Sequence, residues 1–210
     1  MKIIEPKAEL INYNESGERN IAISAKLTHS KKGIDDLESE LSDDEVKRLV
    51  RKMIDIGHDS TAEHTHYMFR VVCSRVCSHQ LVRHRVGTAF SQRSERYVED
   101  DNFKVIVPPE FKENPILLSN YKLMMNQGID NYKTMRGHGA KKEDARFVLP
   151  RVATELSVSF NARALRHFLK LRLDKTAQWE IRDIANQILD IVKPLHANIF
   201  HDIEACRKEV

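Results

Sequence analysis

The residues most ready for chemistry lie between Gln80 and Tyr97, which read Gln-Leu-Val-Arg-His-Arg-Val-Gly-Thr-Ala-Phe-Ser-Gln-Arg-Ser-Glu-Arg-Tyr. Four arginines and a histidine crowd this stretch against a single acid, Glu95. Arginine is almost never fully buried without a partner, so the segment is poor core material. Arg83, His84, Arg85, Arg93 and Arg96 together ask for an anion, and planar guanidinium forks match phosphate or carboxylate oxygens two bonds at a time. Ser91 and Ser94 stand among these cations with no obvious base beside them, which suits donors to a phosphate better than nucleophiles. The 7 glycines form neither Gly-x-Gly-x-x-Gly nor a Walker sequence, so a nucleotide would be held by side chains and helix ends.

Two further segments carry usable groups. In Phe160-Asn-Ala-Arg-Ala-Leu-Arg-His-Phe-Leu-Lys-Leu-Arg172, Asn161 and Arg163 fall at a helix start, where the positive dipole end favours an anion. His167 follows Arg163 by one turn and Arg172 lies at the far end; periodicity alone makes this a solvated face over buried Leu165, Phe168 and Leu169. In Gly57-His-Asp-Ser-Thr-Ala-Glu-His64, Ser60 and Glu63 can serve a ligand or simply form a capping box. Cys73-x3-Cys77-x-His79 matches no common zinc spacing and His-Glu-x-x-His is absent, so no metal is expected.

The elements that must position these groups follow from pattern. Strand character is modest up to about Lys26, and a charged loop covers His29–Glu40. Ser42-Asp-Asp-Glu45 is a capping box, opening a helix with Val46, Leu49, Val50, Met53 and Ile54 inward and Gly57 as its terminal cap. A strand over His66–Cys73 precedes a helix from Arg75 to His84 capped by Ser74, on which Gln80, Arg83 and His84 share a face. Val86–Ser94 reads as irregular. Helices are predicted over Leu117–Met135 and Lys141–Leu149, a strand over Thr154–Phe160, and a helix over Ala162–Leu173 capped by Asn161. A long helix follows over about Ala177–Arg207, interrupted by Pro194. This irregular order predicts an α+β fold, a mixed or antiparallel sheet flanked by helices, rather than a doubly wound parallel sheet.

Composition narrows the class. A chain of 210 residues with 41% hydrophobic and 31% charged content suits one soluble domain spanning residues 1–210. No apolar run reaches the roughly 20 residues of a membrane span, and the first residues lack a signal-peptide core, so the cytoplasm is expected. Three cysteines argue against a disulfide framework. A net charge of +3 does not imply nucleic-acid binding, and a basic module over Arg75–Arg96 would lack the aromatic platform of single-strand binders.

Taken in order, four segments resemble the flavin-dependent thymidylate synthase family: Gly57–His64; Gln80-x-x-Arg-His-Arg85 with Ser94-x-Arg-Tyr97; Ala145-Arg-Phe-Val-Leu-Pro150; and Asn161–Arg172 with Ala177-Gln-Trp-Glu180. Eight residues, 86–93, separate Arg85 from Ser94 where the family has seven, which places the extra one among Val86–Ala89. The resemblance implies reductive methylation of dUMP to dTMP, with 5,10-methylenetetrahydrofolate as carbon donor and NADPH as reductant through bound FAD. It implies a homotetramer with sites shared between subunits. Ser60, Glu63, Arg83, His84, Arg85, Asn161, Arg163 and His167 would surround FAD. Gln80, Arg83, Gln92, Arg93, Ser94, Glu95, Arg96, Arg146 and Arg172 would hold dUMP, with Arg172 the catalytic residue that polarises the uracil edge. A relative that keeps FAD but modifies a different pyrimidine nucleotide, or only oxidises NADPH, is the alternative.

Overall fold

The computed structural model describes residues 1–97 and 103–205. Strands β1 (Lys2–Ile3) and β2 (Lys7–Tyr13) lead into helices α1 (Gly17–Leu27), α2 (Ile34–Glu40) and α3 (Asp43–Asp55). A 3-10 turn, Asp59–His64, precedes strand β3 (His66–Ser74), helix α4 (Arg75–Leu81) and strand β4 (Thr88–Gln92). Next come β5 (Lys104–Val105), α5 (Pro109–Glu113), α6 (Pro115–Gly137) and α7 (Lys142–Ala145), the last continued by a 3-10 turn, Arg146–Val148. Strand β6 (Ala153–Asn161) and helices α8 (Ala162–Arg172) and α9 (Trp179–Leu195) complete the regular elements.

Alternation builds the sheet. Tyr67, Phe69, Val71 and Cys73 on β3 lie opposite Phe160, Val158, Leu156 and Thr154 on β6, all on one buried face. The strand order is β2-β3-β6-β4, and every neighbouring pair is antiparallel. Onto this face pack Ile21 and Ala22 of α1, Val50 and Ile54 of α3, Leu165, Phe168 and Leu169 of α8, and Ile181, Ile184 and Ile188 of α9. The other face carries Arg70, which bonds Glu9 and Glu155 at 2.6 Å each. A parallel pair, β1 with β5, and the buried side of α6 (Met125, Ile129, Tyr132) form a smaller second core with Phe103 and Val152. The α+β expectation therefore holds in its sheet and flanking helices. No helix among the described residues is long and apolar enough to cross a membrane.

Several local expectations are corrected. The strand character read up to Lys26 gives way to α1: Ile21, Ile23 and Ala25 alternate like a strand, but Gly17, Ile21 and Ala25 stack one turn apart as a buried helical stripe. Within the charged 29–40 segment, Leu37 is fully buried and anchors α2, whose first turn holds Asp35 and Asp36 at the positive dipole end. The helix expected to reach His84 stops at Leu81, which frees residues 82–87 to turn so that β4 can pair with the edge of β6. Val86–Ser94 is thus largely strand. Lys141–Leu149 divides into α7 and a 3-10 turn. The last helix runs through Pro194 and ends at Leu195, where His196 still donates to the Val192 carbonyl at 3.0 Å but leaves helical geometry with φ −136° and ψ 68°; Cys206 and Arg207 lie outside the described residues. The Ser42 capping box and the positive φ of Gly57 agree with expectation.

Candidate active site

Asn161 is the joint on which the site is assembled. It ends β6, its backbone N–H donates to the Gly87 carbonyl at 2.8 Å, and its side-chain oxygen accepts from the Ala164 N–H at 2.8 Å to cap α8. Gly87 has φ +68°, and a Cβ there would stand 2.5 Å from the Asn161 amide. The 82–87 turn therefore lies flat against the start of α8. Ala162 donates to the Thr65 carbonyl at 2.7 Å, which brings the Asp59–His64 turn alongside as well.

Between these three segments opens a cavity of about 670 Å³. Glu63, Arg83, His84, Arg85, Asn161, Arg163, His167 and Arg172 line it, as do Asp59, Val86, Ala164, Arg166, Lys170 and Leu171. All residues expected near a flavin line this wall except Ser60, which is exposed on the same turn as Asp59. That turn has no side-chain cap, so Ser60 and Glu63 form no capping box; Glu63 pairs with Arg163 at 2.5 Å instead. Arg166 and Lys170 were not anticipated. They lie three and seven residues beyond Arg163, so helical periodicity was the signal that could have found them. Arg166 is 5% exposed; it meets the Ile199 carbonyl and both Asp202 oxygens (2.7 and 2.9 Å), and Lys170 shares Asp202 at 2.9 Å. The wall is thus strongly cationic, with Asp59 and Glu63 its acids.

Arg172, the last residue of α8, donates from Nε to His84 Nε2 at 3.0 Å and from Nη2 to the Gln80 carbonyl at 3.4 Å. His84 packs edge-on against Phe168, ring centres 5.0 Å apart. Burial, then the Arg172 and His167 charges, push the His84 imidazole down to about 4, so it is neutral near pH 7.

The other residues expected to hold a nucleotide gather elsewhere. Arg93, Ser94 and Glu95 border a crevice of about 30 Å³ with Arg75, Phe103 and Tyr132. Arg93 pairs with Glu155 at 3.1 Å, and Glu95 with Arg75. Arg96 pairs with Glu143 at 2.9 Å and stacks on Tyr97, its backbone N–H donating to Ser94 Oγ. Arg146 donates to the Glu143 carbonyl at 3.1 Å. The Gln92 amide turns inward, 3.3 Å from both Ser78 Oγ and Thr154 Oγ1. Within one chain the expected nucleotide set is therefore divided between two cavities: Arg83 and Arg172 line the large one, with the Gln80 carbonyl held by Arg172, whereas Arg93, Ser94 and Glu95 border the small crevice and Arg96 and Arg146 are tied to Glu143.

Cys73 and Cys77 are buried free thiols, and their mutual hydrogen bond and burial push Cys77 up, away from nucleophilic thiolate. Among the described residues no group of three metal-binding side chains forms.

The profile of the family described as "Thymidylate synthase complementing protein" matches residues 9–196. A flavin-dependent thymidylate synthase of Saccharolobus solfataricus is 42% identical over 198 residues, covering 91% of this chain and 74% of that protein. One of Geobacter sulfurreducens is 38% identical over 200 residues, covering 93% and 86% respectively. In fold, the crystal structure of the UMP/dUMP methylase PolB from Streptomyces cacaoi bound with 5-Br dUMP aligns with a TM-score of 0.86 over 97% of this chain and 98% of that one, at 22% identity. With a profile match across nearly the whole sheet-and-helix frame and this level of identity, the chain belongs to the flavin-dependent thymidylate synthase family.

Proposed function

We propose that the protein methylates dUMP to dTMP, drawing the carbon from 5,10-methylenetetrahydrofolate and reducing power from NADPH through FAD. The observation that carries this reading is the placement of Arg172 on the wall of the cavity that holds seven of the eight expected flavin-contact residues. FAD suits that wall: the volume falls within the roughly 300–1,000 Å³ of small-molecule sites, and a diphosphate suits cations at a helix N-terminus. Arg163 and Asn161 at the head of α8, with Arg85, Arg83 and His167, would hold it, joined by Glu63 and the nearby Ser60. When bound, the flavin supplies two-electron reduction.

The chain's own residues do the rest. Arg172 presents its remaining N–H donors to the uracil carbonyl edge and so stabilises negative charge building in the ring. Arg93, Arg96 and Arg146 grip the 5′-phosphate with bidentate forks, Ser94 adds a hydroxyl donor, and Glu95 holds Arg75 beside them. Gln80, Arg83 and Gln92 complete the nucleotide pocket. Arg172 lines the large cavity and Arg93 the small crevice, so the phosphate group and Arg172 of one site come from different subunits of a homotetramer. A cytoplasmic enzyme of nucleotide biosynthesis accords with this chemistry.

The test is direct. Purified protein should be yellow and form dTMP from dUMP, methylenetetrahydrofolate and NADPH, with UMP as the parallel substrate. Arg172→Ala should lower kcat by about 10²–10³-fold, the loss typical of one preorganised charge stabiliser. Protein that takes up no flavin would refute the proposal; yellow protein active on UMP alone would assign it a different pyrimidine nucleotide.

A further inference from the structure

We infer that His84 is the positioning residue for Arg172: its bare Nε2 receives Arg172 Nε at 3.0 Å and so fixes the direction in which the guanidinium faces the cavity. This rests on the proposed role of Arg172 at the uracil edge. An arginine at the end of a helix has several rotamers available, and as a cation it is also drawn to the helix's own terminal carbonyls. Here two of its five N–H donors are committed, one to His84 and one to the Gln80 carbonyl at 3.4 Å. Both anchors belong to the end of α4 and the turn after it, so the guanidinium plane is set by a segment other than its own helix. The remaining donors are left for a ligand.

His84 is itself held firmly. Its N–H donates to the Leu81 carbonyl at 3.2 Å, its carbonyl accepts from the Thr88 hydroxyl, and its ring sits edge-on against Phe168. Only a neutral imidazole with its proton on Nδ1 has a lone pair at Nε2 to offer. Burial first, then the charges of Arg172 and His167, keep it so. Arg172 and His167 face it from α8, Arg83 and Arg85 flank it in the turn, and Asp59 and Glu63 border the same cavity from the 3-10 turn. A protonated ring would lose the acceptor and set one cation against another. The imidazole of the Arg-His-Arg segment thus has a task apart from any contact with flavin.

Two substitutions separate these tasks. His84→Gln returns an acceptor oxygen close to the place of Nε2, and His84→Leu removes it. We expect His84→Leu to lower kcat for dTMP formation by about 100-fold, the cost of a misplaced group near 1 Å. KM for dUMP should change less than about threefold, and His84→Gln should recover kcat to within about fivefold of wild type. A second readout needs no turnover: in flavin-free, ¹⁵N-labelled protein the Arg172 Nε–H resonance should persist in wild type and His84→Gln and be lost in His84→Leu. The inference is overturned if His84→Leu keeps wild-type kcat. It is equally overturned if both variants lose flavin affinity and kcat together, which would make His84 a flavin contact alone. Should wild type form no dTMP, the functional reading fails, and the resonance still decides whether His84 holds Arg172.

Discussion

His84 and His196 are both kept neutral, and for the same leading reason. Burial leads in each case; at His84 the Arg172 and His167 charges add to it, whereas at His196 burial outweighs a bond to the Glu15 carbonyl and the Glu18 charge. His196 is 3% exposed, and its Nδ1 accepts from the Tyr67 hydroxyl at 2.6 Å while Nε2 faces the Glu15 carbonyl. In the unfolded chain either ring takes up a proton near pH 6.5, its ordinary value. In the folded chain His84 does so only at about 4, and His196 also below its ordinary value. Between those limits the unfolded state binds more protons, so stability must fall as pH drops from about 6.5 towards 4. Urea titrations at pH 7.5 and pH 5 should show a lower midpoint at pH 5, and His84→Gln should narrow the gap. A midpoint that stays constant, or rises at pH 5, would contradict the neutral assignment.

At the scale of elements, the site depends on how tightly the 82–87 turn is sewn to the start of α8. Gly87 sits in the left-handed region with the Asn161 amide where a side chain would go. Gly87→Ala should cost about 1–3 kcal/mol from the backbone conformation, and more if the Asn161 cap is displaced. A lowered thermal midpoint with weaker flavin binding is the expected pair of results; an unchanged midpoint would mean the turn can open without loss. Much of this frame was legible in the sequence. The alternation of Tyr67, Phe69 and Val71 with Leu156, Val158 and Phe160 is a two-residue period with few competitors. The Ser42 and Asn161 caps are local chemistry that needs no tertiary context. Helix α1 was hidden because Ile21-Ala-Ile-Ser-Ala25 satisfies both periods, and only packing decides between them. Strand β4 was hidden because its pairing is with β6, more than sixty residues away in sequence. At the site, residue types and helix-start chemistry gave the anion, most of the arginines and Asn161, and the family's motifs divided them between flavin and nucleotide and added Arg146. Arg166 and Lys170 were obscured by the solvated-face reading of α8, since Asp202, the acid that holds both, arrives only through the fold.

For the molecule as a whole, the central fact is that the arginines expected at a nucleotide fall on two different cavities, Arg83 and Arg172 on one and Arg93 on the other. If two subunits complete each site, Arg172→Ala and Arg96→Ala damage different halves of it. Each variant alone should be nearly inactive, while co-expressed and randomly mixed tetramers should regain roughly a quarter of wild-type turnover. Mixtures no more active than either parent would mean that one chain supplies both halves. Three of the site's arginines also share a condition, for each already carries a carboxylate: Arg93 on Glu155, Arg96 on Glu143 and Arg163 on Glu63. An arriving phosphate therefore trades places with a built-in counter-anion rather than discharging bare positive charge. Few mobile ions are released by such a trade, so added salt has little to compete for and ionic strength acts only weakly on nucleotide affinity. Small inorganic anions gain no foothold either, because displacing a paired carboxylate repays only a ligand that engages several forks at once.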